Sequence, residues 1–354
     1  MRKLNLLMTG LATTLLLCSC SKGGGDNNNN NNNNPPASDT FYLTLSKPSM
    51  KADAFDELKF IVKDKNNVDV TATATIKVDG NVVASKIYTT GTVGGHQAVA
   101  TVGGKSTATK SFNAVAPGTS PFTRKVLVED FTGTWCQYCT RMAAKLKDFK
   151  NNNPNLIWTA VHGPSNSSDP FKYQFHDQMA TKYGVSGWPS AIMSRRVKWD
   201  ENPSTINAEL AIRAPLGIAF ETSISGTTVN VKTKVKFDVS TSAPLKLVVM
   251  LVEDGLVYQQ QNAYTQYGTT PVIANFIHDM TLRKASTDIF GDAIPVASQT
   301  EGNIYEHTST FSTTGFNASK LKVVATVLTE SNTLTYKGCL NTQEVVAGQN
   351  KNFD

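Results

Sequence analysis

Short stretches of alternating apolar and polar residues open the part of the chain that can build a core. Phe41, Leu43 and Leu45 alternate with their neighbours, and Leu58, Phe60 and Val62 stand opposite Lys59 and Lys63, the period-two pattern of half-buried strands. Asp79-Gly80-Asn81 and Gly103-Gly104 are hairpin-type turn signals. Short strands with turns at regular spacing predict a small Ig-like β-sandwich over 39–116. Pro117-Gly118-Thr119-Ser120-Pro121 is a compact linker, and from 121 to 214 the texture changes. There, apolar runs at 126–128, 156–161 and 191–193 read as strands. Met142, Leu146 and Phe149 recur at helical spacing, and 171–183 reads as a second helix. From Pro215 the strand texture returns, with Val229, Val231, Val235, Phe237 and Val239 on one face and apolar runs at 245–252 and 321–328. A second β-sandwich over 215–354 is expected. The predicted fold class is multidomain α+β, with a central α/β domain between two sandwiches.

The chain begins with Met1-Arg2-Lys3 and an apolar stretch from Leu4 to Leu17, too short to span a bilayer as a mature helix and arranged as a secretory signal. It ends Leu17-Cys18-Ser19-Cys20, which looks like a bacterial lipobox. Residues 1–19 are then removed and Cys20 becomes a lipidated N-terminus. Since one acyl chain binds a membrane only marginally, the several chains on such a cysteine make a stable anchor. Residues 20–38, with eight consecutive asparagines from Asn27 to Asn34 and then Pro35-Pro36, hold nothing to bury and read as a disordered leash. Such a leash holds the first folded residues at roughly 25 Å r.m.s. from the lipid. Its composition resembles that of spacers in Bacteroidetes outer-membrane lipoproteins.

With 354 residues, 40% hydrophobic and 18% charged, the chain has the make-up of ordinary folded protein and room for two or three domains. The net charge of +6 falls to about +4 when Arg2 and Lys3 leave with the signal, and the charges are scattered, so nucleic acid is not an expected partner. Arg195, Arg196 and Lys198 are the nearest thing to a basic cluster and read as a solvated strand end. Gly103-Gly104-Lys105-Ser106 is not a phosphate-binding loop, because that motif's first glycine would fall at Val99. Five cysteines are too few and too unevenly placed for a disulfide framework.

Their chemistry concentrates at Cys136 and Cys139, in Trp135-Cys136-Gln137-Tyr138-Cys139 between a strand and a helix. A thiol at a helix N-terminus is stabilised as the attacking thiolate by free backbone N–H groups and the helix dipole. A second cysteine one helical turn on can resolve a mixed disulfide formed at the first. No second Cys-x-x-Cys completes a zinc site, Thr140 stands where a haem-attachment histidine would be, and neither a metal nor an organic cofactor is implied.

These residues resemble the thioredoxin superfamily. Trp135 precedes the first cysteine as in that family, and Asp130 stands six residues before Cys136, where the family carries a buried proton-transferring aspartate; Glu129 competes for that role. Tyr183-Gly184-Val185-Ser186-Gly187-Trp188-Pro189-Ser190 looks like the segment ending in the family's cis-proline loop, which implies that Trp188 and Pro189 shape a substrate groove beside the dithiol. Gln137-Tyr138 replaces the family's Gly-Pro, so its redox potential does not transfer. Over roughly 121–354, Val128-Glu129-Asp130-Phe131-Thr132-Gly133-Thr134 and Phe276-Ile277-His278-Asp279-Met280-Thr281-Leu282-Arg283 resemble the Omp28-related outer-membrane lipoproteins. That resemblance implies an outer-membrane location. His278 reads as a structural, hydrogen-bonded histidine and Cys339 as a small buried hydrophobe.

Two functions are therefore expected. One is a lipid-anchored thiol–disulfide oxidoreductase acting on protein thiols or a redox partner, with Cys136 as nucleophile, Cys139 as resolving thiol, Asp130 moving a proton and Trp135, Trp188 and Pro189 receiving the substrate. It requires Cys136 to be ionised and reachable. The other is a non-enzymatic surface binding protein with a permanent Cys136–Cys139 bridge.

Overall fold

The computed structural model describes residues 40–331, 334 and 336–354. The signal, the leash and the lipidation site Cys20 lie outside the described residues.

Residues 41–115 form nine short strands: β1 (Phe41–Leu45), β2 (Ser49–Lys51), β3 (Leu58–Asp64), β4 (Thr75–Val78), β5 (Asn81–Val82), β6 (Ile87–Tyr88), β7 (Gly94–Val102), β8 (Lys105–Ser106) and β9 (Lys110–Val115). They make two sheets, β1-β3-β6 and β2-β9-β7-β4-β5, with β8 beside β7. The alternating residues explain why. Leu43, Leu58, Phe60 and Val62 from one sheet meet Ile76, Val78, Ala98, Ala100 and Phe112 from the other in one core, while the residues between them face out.

The next stretch contributes β10 (Val126–Thr132), α1 (Cys139–Asn152), β11 (Leu156–His162), α2 (His176–Lys182), β12 (Ser190–Met193), β13 (Val197–Lys198) and α3 (Pro203–Leu210). The rest is β: β14 (Leu216–Ser225), β15 (Thr228–Phe237), β16 (Leu245–Glu253), β17 (Leu256–Gln261), β18 (Val272–His278), β19 (Thr281–Ala285), β20 (Asp292–Ile294), β21 (Ile304–Ser312), β22 (Leu321–Thr329) and β23 (Gly338–Val346).

Here the fold-class expectation is corrected. The strands of the central stretch do not form a separate thioredoxin-like α/β domain, and the molecule is mostly β, with three short α-helices among the described residues. The order β13-β12-β10-β11-β19-β16-β22-β23 runs unbroken through a nine-stranded sheet, with β20 also on β16. At the join, Ala160 of β11 pairs in parallel with Thr281 of β19. The expected C-terminal sandwich changes with it: the small sheet β14-β15-β21 has as its opposite layer the far half of this shared sheet.

The physical reason lies in the apolar runs. Along β16, Leu245, Leu247, Val249 and Leu251 enter the core under the small sheet, while Val248, Met250 and Val252 enter the core that holds α1, α2 and α3. β22 divides likewise, with Leu321, Val323, Ala325 and Val327 on one side and Val324 and Leu328 on the other. A strand apolar on both faces needs a layer on each, and helices on one side with strands on the other supply them.

One local expectation also fails. Arg195 is not a solvated strand end: its guanidinium is buried and grips Glu129 of β10, Nη2 to Oε1 at 2.7 Å and Nε to Oε2 at 3.1 Å. A buried carboxylate needs a partner, and Arg195 is the one the fold brings.

Candidate functional site: a disulfide against a buried carboxyl

β10 is buried along its whole length and delivers the chain to a tight turn at its end. Gly133 has to be glycine there, because a Cβ would stand 2.4 Å from the Trp135 indole nitrogen and 2.9 Å from the Gly163 carbonyl. That same carbonyl accepts the Trp135 Nε1–H at 2.9 Å. Cys136 N–H donates to Gly133 O and Cys139 N–H to Cys136 O, so the loop closes on itself before the helix starts.

Cys136 and Cys139 are joined as a disulfide with their Cα atoms 5.4 Å apart. Helix α1 begins at Cys139, so Cys136 sits in the turn before the helix and Cys139 in its first position. The expectation of an open sulfur is also corrected. Cys136 is 4% exposed and Cys139 2%, while Trp135 and Tyr138 on either side of Cys136 stay 37% and 46% exposed. The bridge is thus almost wholly withdrawn from the surface, with Cys136 the slightly more open of the two cysteines.

The neighbouring carboxylates of β10 separate as strand alternation requires. Glu129 goes to Arg195, and Asp130 turns into a cavity of about 310 Å³ whose wall includes Cys139. Asp130 is 1% exposed and its Oδ1 has no hydrogen-bond partner. Burial, helped by the negative charge of Glu201, pushes its carboxyl up to about 8, so it is a neutral acid at pH 7. Of the two carboxylates, Asp130 is the one that shares a cavity with the bridge.

The Trp188–Pro189 peptide is cis, and Ser190 after it pairs with Phe131 of β10. The Trp188 ring packs edge-on against Trp135, centroids 5.5 Å apart, and stacks on His176 at 5.8 Å. Trp188 is thus packed against Trp135, the neighbour of Cys136 in the chain.

The hairpin of β17 and β18 covers the other side, and no sequence reading foresaw it. Gln261 N–H donates to Thr134 O and Ala263 N–H to Gln137 O, each at 2.8 Å. The Gln260 side-chain amide donates to the carbonyls of Cys136 at 2.8 Å and Gly133 at 3.2 Å, and Thr140 Oγ1 donates to Asn262 Oδ1 at 2.9 Å. Over 120 residues separate these partners, and no spacing motif marks them. His278, at the end of β18, is buried with Nε2 unpartnered. Burial, followed by the neighbouring His162, drops its imidazole to about 4, while hydrogen bonds to the backbone of Tyr258 and Gln259 hold the ring, so it is neutral at pH 7. His162 Nδ1 lies 2.8 Å from Asp169 Oδ2, which also accepts Thr134 N–H. These hydrogen bonds outweigh burial and hold the Asp169 carboxyl below its usual range. Cys339 lies fully buried 2.7 Å from Thr326 Oγ1, and burial pushes its thiol up. Among the described residues no cluster of His, Cys, Asp and Glu could hold a metal ion, and no helix is long and apolar enough to cross a membrane.

Fold and site thus define a mostly-β protein that keeps a disulfide at the rim of its main sheet beside a neutral buried acid. Through residues 176–351 the chain belongs to the outer membrane protein Omp28 family, which places it in the outer membrane. The matched stretch takes in Trp188, Pro189 and the β17–β18 hairpin and starts after the disulfide, so it is narrower than the resemblance drawn from 121 onward. Among solved structures, HBP35 of Porphyromonas gingivalis is similar in fold, at 20% identity and a TM-score of 0.52, over 65% of this chain and 77% of that one. The Yersinia pseudotuberculosis adhesin InvE aligns over 89% of this chain and 58% of its own at 10% identity, but a TM-score of 0.18 is not a shared fold. No curated protein sequence matches the chain.

Proposed function

We propose that this outer-membrane protein is a lipid-anchored thiol–disulfide exchange protein that works through Cys136 and Cys139 on protein thiols. The observation that carries the reading is Asp130: a buried, unpartnered carboxyl facing the same cavity as Cys139 is costly in a merely structural bridge and useful beside a sulfur that must gain or lose a proton.

In the exchange a partner thiolate attacks Cys136 Sγ. The sulfur–sulfur bond breaks with its electron pair going to Cys139, and Asp130 supplies the proton that makes Cys139 a thiol. The partner's second thiolate then attacks the partner sulfur of the mixed disulfide, and Cys136 leaves as a thiolate. The partner has lost two electrons and gained a disulfide, and the chain holds them as a dithiol; the reverse sequence reduces a partner disulfide. Because so little of Cys136 is open, the partner has to approach over the exposed Trp135 and Tyr138, as an extended peptide can.

A second reading keeps the bridge as a permanent staple of a non-enzymatic surface binding protein. The hydrogen bonds of Gln260 to the carbonyls of Gly133 and Cys136 favour it, since they hold the loop in its bridged shape.

Cys139→Ser expressed in the native envelope separates the two. Exchange predicts mixed disulfides between Cys136 and partner proteins, seen as reducible high-mass bands that vanish in the Cys136→Ser/Cys139→Ser double variant. No such bands, together with a wild-type reduction potential below about −300 mV, would leave the staple. Anchoring at Cys20 is checked in the same strain: Cys20→Ala should move the protein from the membrane to the soluble fraction, and unchanged fractionation would rule it out.

A further inference from the structure

The cavity behind the disulfide is better formed than proton transfer alone requires. Its walls are largely apolar and aromatic, with Trp158 of β11, Ala144 of α1, and Ile273 and Phe276 of the hairpin among them. Its volume of about 310 Å³ is at the small end of the roughly 300–1,000 Å³ usual for small-molecule sites. Two buried polar atoms in its lining residues have no partner, Asp130 Oδ1 and His278 Nε2. Buried polar atoms normally find partners, and two residues so left on the wall of one cavity describe the polar end of something that fits it.

The charge of the wall narrows the class. Asp130 and His278 are both neutral at pH 7, Lys147 and Asp279 neutralise each other at 2.7 Å, and His162 is held by Asp169 behind the wall. No unpaired charge faces inward to recognise an ion.

We propose that this cavity binds a small, neutral, ring-shaped molecule bearing a hydroxyl or carbonyl group, its polar end between Asp130 and His278 and its ring against Trp158 and Phe276. A protonated carboxyl can donate to that oxygen, and a neutral imidazole nitrogen can accept from a hydroxyl. Binding does not rest on the exchange reading. Where that reading holds, an occupant engaging Asp130 also withholds the proton from Cys139 and slows exchange.

The test is calorimetric titration of 2-naphthol into the oxidised chain, a probe that fits the class and does not react with disulfides. Saturable one-to-one binding is expected, at least tenfold weaker for naphthalene, which lacks the hydroxyl. Ala144→Phe, which fills the space, should weaken 2-naphthol binding at least tenfold, and His278→Phe, which keeps an aromatic ring and removes the nitrogen, about fivefold or more. Absence of saturable binding to the wild type would overturn the proposal, as would equal affinity for 2-naphthol in folded His278→Phe. The second variant decides the matter if Ala144→Phe fails to fold. Failure of the Cys139→Ser trap leaves this result untouched, because no exchange step enters the titration.

Discussion

Two adjacent carboxylates on one strand end in different surroundings, and the cause is which side of the sheet each faces. Glu129 meets Arg195 in a bidentate pair. Asp130 meets a cavity whose lysine, Lys147, is paired with Asp279, and keeps its proton to about pH 8. This has a consequence for stability with a definite sign. Between the ordinary aspartate value of 3.8 and about 8, the folded chain holds a proton that the unfolded chain has released. Its stabilising share is therefore full below about pH 4 and declines as pH rises toward 8, by up to about 1.4 kcal/mol per pH unit. Asp130→Asn removes that dependence. Thermal unfolding of the oxidised protein should show the variant gaining on the wild type steadily from pH 5 to pH 8. Parallel pH profiles would mean that Asp130 is ionised in the folded chain.

At the scale of elements, the β17–β18 hairpin decides how the disulfide is presented. It lies outside the main sheet as a two-stranded ribbon, and its grip on the Thr134–Cys139 turn is made of backbone and amide hydrogen bonds. Gln260 is the residue to change, since its single amide nitrogen serves two carbonyls of the turn, each of which keeps only its backbone donor without it. Gln260→Ala is expected to cost about 0.5–1.5 kcal/mol of stability and to speed reduction of the bridge by dithiothreitol several-fold, read by mass-tagging of the freed thiols. Unchanged reduction kinetics would show that the hairpin does not restrain the turn. The strands and the turn before α1 were readable from local pattern because period-two burial, Gly133 and the Cys-x-x-Cys spacing are all properties of neighbours in the chain. The hairpin's role was not, since Gln260 and Asn262 look like any polar loop residues until the fold lays them against Cys136 and Thr140.

For the whole molecule, the continuous sheet makes the central strands depend on residues more than a hundred positions away. β11 has its free edge covered by β19, β19 by β16 and β16 by β22, and Val248, Met250 and Val252 complete the core under the helices. A fragment ending at Ala214 would expose the edge of β11 and lose that core wall. It should be insoluble or lack cooperative thermal unfolding, whereas the chain from Pro36 to Asp354 should melt as a folded protein. A soluble, cooperatively unfolding 121–214 fragment would overturn this account.

What the amino-acid order determined unaided is local: where strands alternate, where the chain must turn, and that two thiols stand three residues apart beside a tryptophan. It also marked Asp130 as a candidate without deciding between it and Glu129. Only the tertiary structure decided that the sheet continues past β11, that Arg195 goes inside, and that a hairpin closes a cavity over Cys139. The reason is that hydrophobic period reports which face of a strand is buried, but not which edge meets which. Edge pairing and the pairing of buried charges are settled by distant segments competing for the same contacts, and no window along the chain contains both competitors.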